Sequence, residues 1–275
     1  MPSKVRVAVR VRPLLGREVE QGHRRQLLNV DPDQNEISVI QPESNTKKSY
    51  RFDKILDDQY SQQDVFESLQ VPGLVGKVVD GFHATIFAYG QTGSGKTFTM
   101  EGYEYNEVAK RQAFADPADL RAGKVQIAPD NLNNGLSLRA IREAFRQAGE
   151  QRDKHISISC SFLQIYNEKV FDLLNTSKIK RHGKQEGLRI RWSKNEQFSV
   201  ENLFIFKCND ADHAIQYFNK GVKNKVMAAH NLNHASSRSH CIFSLIFEIT
   251  DNAAVDNQVV SKLQLVDLAG SERTS

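Results

Sequence analysis

The 275-residue sequence has little cysteine, little proline and no long apolar run. Its three cysteines, Cys160, Cys208 and Cys241, are odd in number and far apart, which argues against a disulfide framework or a zinc site and predicts reduced thiols in the cytosol. The longest apolar runs have the length of strands, which argues against a transmembrane helix, and the N-terminus lacks the continuous apolar core of a signal peptide. The sequence therefore predicts a cytoplasmic protein that does not insert into a membrane.

Linkers and strong charge are also missing. No proline- or serine-rich stretch divides the chain, so we predict one domain over residues 1–275, with 39% apolar residues to build its core. The net charge of +4 allows an acidic partner without requiring one. The basic stretch Lys178 to Lys194 either faces an acidic polymer or forms a solvated hairpin. The single tryptophan, Trp192, gives no support for stacking on single-stranded nucleic acid, and we predict no nucleic-acid partner.

The chain does contain a P-loop, because Gly90, Gly95, Lys96 and Thr97 fit the pattern G-x-x-x-x-G-K-[ST]. Glycines let the backbone curl so that successive N–H groups point at one phosphate, Lys96 adds a charge for the β- and γ-phosphates, and Thr97 offers a hydroxyl to Mg²⁺. A buried strand is predicted over residues 83–89, and a helix follows the loop. The predicted nucleotide-binding residues of the loop are Gly90, Gln91, Thr92, Gly93, Ser94, Gly95, Lys96 and Thr97.

Other segments have clear periodicity. Strands are predicted over 5–11, 155–166, 241–250 and 259–267, and helices over 136–148 and after Asp210. Ser61 and Asp64 resemble a capping box that starts a helix, and Pro72 is expected to kink or restart it. The polar segment Glu101 to Asn134 is longer than ordinary connections, so we predict a surface loop insertion.

Several residues outside the P-loop are candidates for the same site. Arg10 and Arg12 end the first strand before Pro13, where ligands bind in open α/β sheets, although a solvated edge strand is the alternative. Asp267 ends an apolar strand and is a candidate magnesium ligand. Hydroxyl groups of the stretch 236–239 and the Gly270 N–H are candidates for contact with metal and γ-phosphate. Arg238 and Glu272 carry opposite charges and are predicted to pair when their two loops close.

Taken together, these motifs resemble those of a kinesin motor domain. AYGQTGSGKTFTM, the N-x-x-S-S-R-S-H pattern of Asn233 to His240, and the D-L-A-G-S-E stretch of Asp267 to Glu272 are similar to the family's P-loop, switch I and switch II, in that order. Arg10 to Pro13 resembles its R-x-R-P motif, and Phe162 to Leu174 resembles a further family stretch. The resemblance extends from about residue 4 to the last residue.

The resemblance implies an α/β P-loop NTPase fold, with a central, mostly parallel twisted sheet flanked by helices, that binds ATP and Mg²⁺. It implies that Thr97, Ser237 and Asp267 hold the metal and that Arg10, Arg12, Pro13 and Phe98 contact the adenine. The family often has histidine where this chain has Phe98, so that contact would be apolar or stacking. The catalytic residues implied are Ser236, Ser237, Arg238, Gly270 and Glu272.

The implied function is ATP hydrolysis coupled to movement along microtubules in the cytoskeleton, with tubulin as partner. Two alternatives remain: a non-motile nucleotide-binding protein derived from a motor domain, and, more remotely, a P-loop kinase or small GTPase. Relative to the family, the segment 101–134 is long, and we expect a further 60 to 80 or so residues beyond Ser275 in a complete motor. Dimerisation through a stalk that this chain does not contain is left open.

Overall fold

The computed structural model describes residues 5–22, 27–41, 44–102, 132–175, 187–192, 198–231, 238–252 and 254–272. The chain divides into two compact units, Met1–Gln70 and Val71–Ser275. The single domain expected from composition stays a prediction. Within the described residues, no helix is long and apolar enough to cross a membrane.

The first unit contains two small sheets and two short helices. Strand β1 (Ala8–Arg10) pairs in parallel with β5 (Lys54–Leu56), and β2 (Leu28–Asp31), β3 (Glu36–Gln41) and β4 (Thr46–Arg51) form an antiparallel sheet in that order. The helices are α1 (Gly16–Glu20) and α2 (Gln62–Ser68). Strand β1 is shorter than predicted, because Val5 and Val7 lie outside it and are 71% and 48% exposed.

The start of α2 confirms the predicted capping box. The Asp64 N–H donates to Ser61 Oγ at 3.2 Å, and the Ser61 N–H donates to Asp64 Oδ2 at 2.9 Å. The chain leaves helical geometry at Gln70, whose φ is +54°, and a new helix begins at Val71 with Pro72 in its first turn. Proline is tolerated there because the first N–H groups of a helix have no intrahelical partner.

The second unit alternates helices and strands around one large sheet. Its helices are α3 (Val71–Val79), α4 (Lys96–Met100), α5 (Leu136–Glu150) and α6 (Ala211–Asn231). Its strands are β6 (Ala84–Ala88), β7 (Lys154–Tyr166), β8 (Lys169–Asp172), β9 (Ile190–Trp192), β10 (Phe198–Val200), β11 (Phe206–Cys208), β12 (Ser239–Asp251) and β13 (Ala254–Asp267). These bounds confirm the predicted strands at the P-loop, in β7 and in β12, and both predicted helices.

The large sheet has the order β11-β7-β12-β13-β6, with β8 paired to β7. An α/β architecture is confirmed, but the expectation of a mostly parallel sheet is wrong for the strands that the structure describes. Only β13 and β6 pair in parallel, whereas β11–β7, β7–β8, β7–β12 and β12–β13 are antiparallel. The physical reason is chain connectivity, because β12 and β13 are joined by a tight turn, which permits only an antiparallel pair.

The core of this unit lies where α6 packs on β7 and β12. The rings of Phe162 and Phe218 stack with centroids 5.5 Å apart, and Phe243 meets both edge-on. Gly221 permits this approach, because a Cβ at that position would overlap the Phe162 ring. A glycine in the middle of a 21-residue helix is otherwise unfavourable, so the close contact explains its presence.

The ends of the predicted insertion lie side by side. Gly102 and Asn134 form an isolated bridge, and the Gly135 N–H donates to Glu101 O at 3.2 Å. Glu101 and Gly102 are buried, so the predicted start of the surface segment at Glu101 is too early. Residues 103–131 lie outside the described part of the chain, and their placement on the surface stays a prediction.

Substitution of Gly221 by alanine should destabilise the fold by about 1–3 kcal/mol, because the added methyl group overlaps the Phe162 ring. The matched control is Gly149→Ala in α5, where an added Cβ meets no atom within 4 Å. That change should leave the free energy of unfolding unchanged or raise it by up to about 1 kcal/mol, since alanine favours the helix. Urea denaturation of both variants measures the difference, and equal effects would contradict this account of the contact.

Candidate nucleotide-binding site

The loop after β6 has the backbone conformation that a phosphate cradle needs. Gly90, Gly93 and Gly95 have φ values of +155°, +81° and +96°, which L side chains rarely adopt. A Cβ on Gly90 would also lie 2.6 Å from Ser94 Oγ. Helix α4 then begins at Lys96, which confirms the helix predicted after the loop.

The Lys96 ammonium group is held over the loop by the loop's own carbonyls. Its Nζ donates to Gly90 O and to Gln91 O, both at 2.9 Å. The Ser94 N–H donates to Gln91 O at 3.1 Å and closes the turn. Carbonyl oxygens carry partial negative charge, so a phosphate group can replace them as the partner of Lys96.

Thr97 and Asp267, two of the three predicted metal ligands, are in direct contact. The Thr97 hydroxyl donates to Asp267 Oδ2 at 2.8 Å. The parallel pairing of β13 with β6 places Asp267 opposite Ala88, so that the carboxylate leaves the sheet beside the start of the P-loop. This juxtaposition follows from sheet register, because Asp267 and Ala88 end neighbouring parallel strands and the loop that leads to Thr97 begins directly after Ala88.

Asp267 also belongs to a buried cluster of charges that the sequence did not reveal. Lys225 Nζ of α6 donates to Glu101 Oε1 and to Asp267 Oδ2, both at 3.0 Å. Lys225 is 5% exposed and Glu101 is 3% exposed. The lysine therefore bridges the residue after α4 to the last residue of β13, and each carboxylate keeps one buried oxygen without a hydrogen-bond partner, Glu101 Oε2 and Asp267 Oδ1.

Burial governs the electrostatics of this cluster. Burial raises the pKa of Glu101, Lys225 acts in the opposite direction, and repulsion from Asp267 adds to the rise. Burial lowers the pKa of Lys225, but the ionisable groups Cys241, Glu101 and Asp267 raise it well above its ordinary value. Burial raises the pKa of Cys241 to about 11, so this thiol stays protonated near neutral pH. The lysine is thus a charged group held in place by two carboxylates.

The two predicted γ-phosphate loops begin at adjacent positions of the sheet. Cys241 of β12 lies opposite Asp267 of β13, so the segment before β12 and the segment after β13 leave the sheet together. The Ala269 N–H donates to Nδ1 of His240 at 3.1 Å and ties the segment after β13 to the start of β12. Arg238 lies at this end of β12 and is exposed.

Glu272 contacts the P-loop in this structure. Its carboxylate accepts hydrogen bonds from the Thr92 N–H at 2.8 Å and from the Thr92 hydroxyl. These bonds lower the pKa of Glu272, and the positive charge of Lys96 contributes. The Ser271 N–H donates to Gly90 O at 3.1 Å. Among the ion pairs of the described residues there is none between Glu272 and Arg238, so the predicted pairing of these two stays a prediction for a closed state.

Gly270 lies between these contacts with no space for a side chain. A Cβ there would overlap the carboxylate of Glu272 and lie 2.5 Å from Thr92 Oγ1. Its N–H is consequently close to the P-loop without obstruction by its own side chain, as a phosphate contact requires.

The donor set fits a magnesium ion. Mg²⁺ prefers oxygen ligands, retains several waters and is bound through one or two carboxylates together with substrate phosphates. Thr97 and Asp267 supply a hydroxyl and a carboxylate, and Asp267 Oδ1 has no hydrogen-bond partner. Within the described ranges, no group of three histidine, cysteine or acidic side chains is arranged to hold a metal by itself. Ser236 and Ser237 lie outside the described residues.

The predicted adenine contacts are only partly placed. Arg10 and Arg12 lie in the first unit, where Arg10 donates to Gln62 Oε1 at 2.9 Å and Arg12 donates to Glu18 Oε2 at 2.8 Å. Burial lowers the pKa of Arg10, whereas the hydrogen bonds that Arg12 donates to Glu18 raise the pKa of Arg12. Pro13 follows them in the same unit. Phe98 in α4 belongs to the second unit and is partly exposed.

The site consists of a strand, a glycine loop and a short helix, with an aspartate at the end of the neighbouring strand. This arrangement is that of a P-loop NTPase of the α/β class. A family model described as the kinesin motor domain matches residues 10–275. The chain therefore belongs to the kinesin motor domain family, in agreement with the resemblance found in its motifs.

Individual relatives agree with this assignment. A kinesin-like protein KIN-12G of Oryza sativa is 33% identical over 98% of the chain, and kinesin-like protein klp-3 of Caenorhabditis elegans is 33% identical over 99%. The chain spans only 20% and 40% of the lengths of these two proteins. A solved structure, described as a fast kinesin with implications for ATPase mechanism and interactions with microtubules, superposes with a TM-score of 0.80 at 25% identity, covering 98% of this chain and 67% of that one.

Replacement of Lys225 by methionine should destabilise the fold by about 3–5 kcal/mol, because two buried carboxylates lose their shared cation. The loss should be smaller at pH 5 than at pH 8. Lys225 lowers the pKa of Glu101, so its removal raises the folded pKa of that carboxyl further. The variant therefore holds Glu101 neutral at low pH and keeps more of its stability there, and this gain is lost as pH rises through the folded pKa.

The control is Lys220→Met on the exposed face of the same helix, which should change the free energy of unfolding by less than about 0.5 kcal/mol. Lys225→Arg keeps the charge and should recover part of the loss. Thermal unfolding at both pH values measures all three variants, and a pH-independent deficit for Lys225→Met would refute the electrostatic explanation.

Proposed function

We propose that this chain binds ATP with Mg²⁺ and hydrolyses it, as the nucleotide-processing part of a microtubule motor. The observation that carries the proposal is the contact between Thr97 and Asp267 beside the glycine loop. It joins the two oxygen donors that a nucleotide-bound metal needs to the cradle that holds the phosphates. Mg²⁺ bound there would neutralise charge that develops on the phosphate oxygens.

In this proposal each site residue acts by position and charge. Lys96 leaves its loop carbonyls and binds the β- and γ-phosphates, while the Gly270 N–H approaches the γ-phosphate. Ser236 would position the attacking water, and Ser237 would hold the metal together with Thr97 and Asp267. On one side of the nucleotide, Arg10, Arg12, Pro13 and Phe98 contact the adenine.

Glu272 gives the site two states. In the present structure its carboxylate binds Thr92 of the P-loop, and in the proposed closed state it pairs with Arg238 instead. The exchange moves the segment after β13 relative to the P-loop, and γ-phosphate contacts decide which state is favoured. Family membership and the relative described with interactions with microtubules support the microtubule as the partner whose affinity changes.

A second candidate function is nucleotide binding without turnover, in a protein that acts through interactions alone. The geometry of the phosphate cradle is compatible with both functions. The two functions differ in hydrolysis. Only a motor must hydrolyse ATP and release phosphate so that Glu272 alternates between its two states. Phosphate release in the presence and absence of microtubules separates them.

Substitution of Lys96 by alanine should lower the rate of ATP hydrolysis at least about 100-fold, because the group that stabilises the β- and γ-phosphates is removed. The control is Lys262→Ala, which removes an exposed lysine from β13 and should leave hydrolysis unchanged. The measurement is the steady-state rate of phosphate release with and without microtubules, together with equilibrium binding of a fluorescent ATP analogue.

The motor proposal requires hydrolysis that increases when microtubules are added and that Lys96→Ala abolishes. Retained binding of the analogue without any turnover would favour the second candidate. Transfer of phosphate to a small acceptor would instead indicate a P-loop kinase.

A further inference from the structure

Two of the three cysteines lie on neighbouring strands of the large sheet. Cys160 belongs to β7, and Cys208 is the last residue of β11. In the antiparallel pairing of these strands, Phe206 lies opposite Cys160 and Cys208 lies opposite Ile158. Because alternate residues share a face, both thiols point to the same face of the sheet, offset by two residues.

The two thiols are close enough to influence each other's protonation. A hydrogen bond between them raises the pKa of Cys160, to which burial adds, and the same bond lowers the pKa of Cys208. Diagonal neighbours in a sheet have Cα atoms about 7–8 Å apart, slightly more than a disulfide spans, so β11 must shift by an ångström or so to allow a bond. The register places the two side chains on one face of the sheet as diagonal neighbours, the arrangement from which such a shift can bring the sulfurs together.

Strand β11 can make that movement and can open to a reagent. It has only three residues and lies at the end of the sheet, where it pairs with β7 alone among the described strands. In the closed sheet Cys160 is 0% exposed and Cys208 is 4% exposed. Short edge elements open at low free-energy cost, so Cys208 becomes accessible without unfolding of the core.

We propose that Cys160 and Cys208 form a reversible disulfide when the chain meets a peroxide. The Cys208 thiolate attacks one oxygen of hydrogen peroxide, the O–O bond breaks, and hydroxide leaves and is protonated to water. The sulfur of Cys160 then attacks the resulting sulfenic acid, the S–O bond breaks, and a second water is released. Two thiols lose two electrons, and one peroxide molecule is reduced to two waters.

The disulfide would act on the structure through its place in the chain. It closes the segment between residues 160 and 208, which includes β8, β9 and β10, into a covalent loop. It also ties down the strand that ends just before α6, the helix that carries Lys225. Closing a loop of this length restricts the unfolded chain, so oxidation should raise the melting temperature by roughly 5–10 °C.

Cys241 is an internal control for the proposal. It is buried on β12, where its neighbours across the sheet are Gln164 and Asp267, neither of which is a cysteine. On the same strand, Leu245 is the residue opposite Cys160, which places the two thiols roughly 13 Å apart along the strand direction. Cys241 should therefore remain a free thiol under conditions that oxidise the other two.

The test treats the full chain with hydrogen peroxide, alkylates the remaining thiols and maps the peptides by mass spectrometry. The expected result is one peptide pair joined through Cys160 and Cys208, removed by dithiothreitol, with Cys241 alkylated. The variants Cys160→Ser and Cys208→Ser should each abolish the joined peptide and the rise in melting temperature.

As a control, the reduced chain is unfolded in urea and treated with peroxide, which gives the concentration at which exposed thiols react. If both thiols stay reduced in the folded chain at that concentration, or oxidise separately to sulfinic acids, the proposal is overturned. A bridge to Cys241 or between two chains would also overturn it. Because the mapping uses the unaltered chain, failure of a serine variant to fold does not affect the outcome.

Discussion

Two buried carboxylates and one ammonium group hold the nucleotide site together. Glu101 follows the helix of the P-loop, Asp267 ends β13, and Lys225 comes from α6, so three elements distant in sequence meet at a single point. The free energy of removing three charged groups from water exceeds their electrostatic attraction unless their geometry is good. The cluster is thus unfavourable for stability compared with apolar packing, and it fixes where the Asp267 carboxylate points. A well-packed apolar substitute would not do so.

The same constraint links local motifs into one site. Asp267 is shared between Lys225 on one side and the Thr97 hydroxyl on the other, and Thr97 lies in the first turn of the helix that starts at the phosphate cradle. Glu272, five residues beyond Asp267, returns to the P-loop at Thr92. The segment after β13 is therefore anchored at its start by the buried cluster, whereas its far end is held by an exposed carboxylate, which in the proposed function changes partners. A segment that responds to phosphate needs one end held in place, here at Asp267, and another end that exchanges contacts, here at Glu272.

Local features were predictable from sequence because their causes are local. The Ser61 and Asp64 cap, the glycine spacing of the P-loop and the alternation of β7 and β12 each depend on residues within one element. The Lys225 cluster was not predictable, since its nearest carboxylates are 42 and 124 residues away and nothing in the sequence around Lys225 marks it as buried. The strand directions were misjudged for a different reason. Apolar strands look alike in either direction, and the signal that was overlooked is the short connection between Asp251 and Ala254, which is too short for a crossover. The contact between Glu272 and Thr92 depends on how two loops fold back, which periodicity does not report.

The long hairpin of β12 and β13 has a practical consequence. From the pair Cys241–Asp267 at the site to the pair Thr250–Gln258 near the turn, the ladder runs without interruption, and nine residue steps correspond to roughly 30 Å. The turn at Asn252 is exposed and is held by its own bonds to residues 152 and 153. A fluorophore or surface tether attached at that turn would report the orientation of the whole sheet. The label would lie far from the candidate nucleotide site and would leave the residues of that site unmodified.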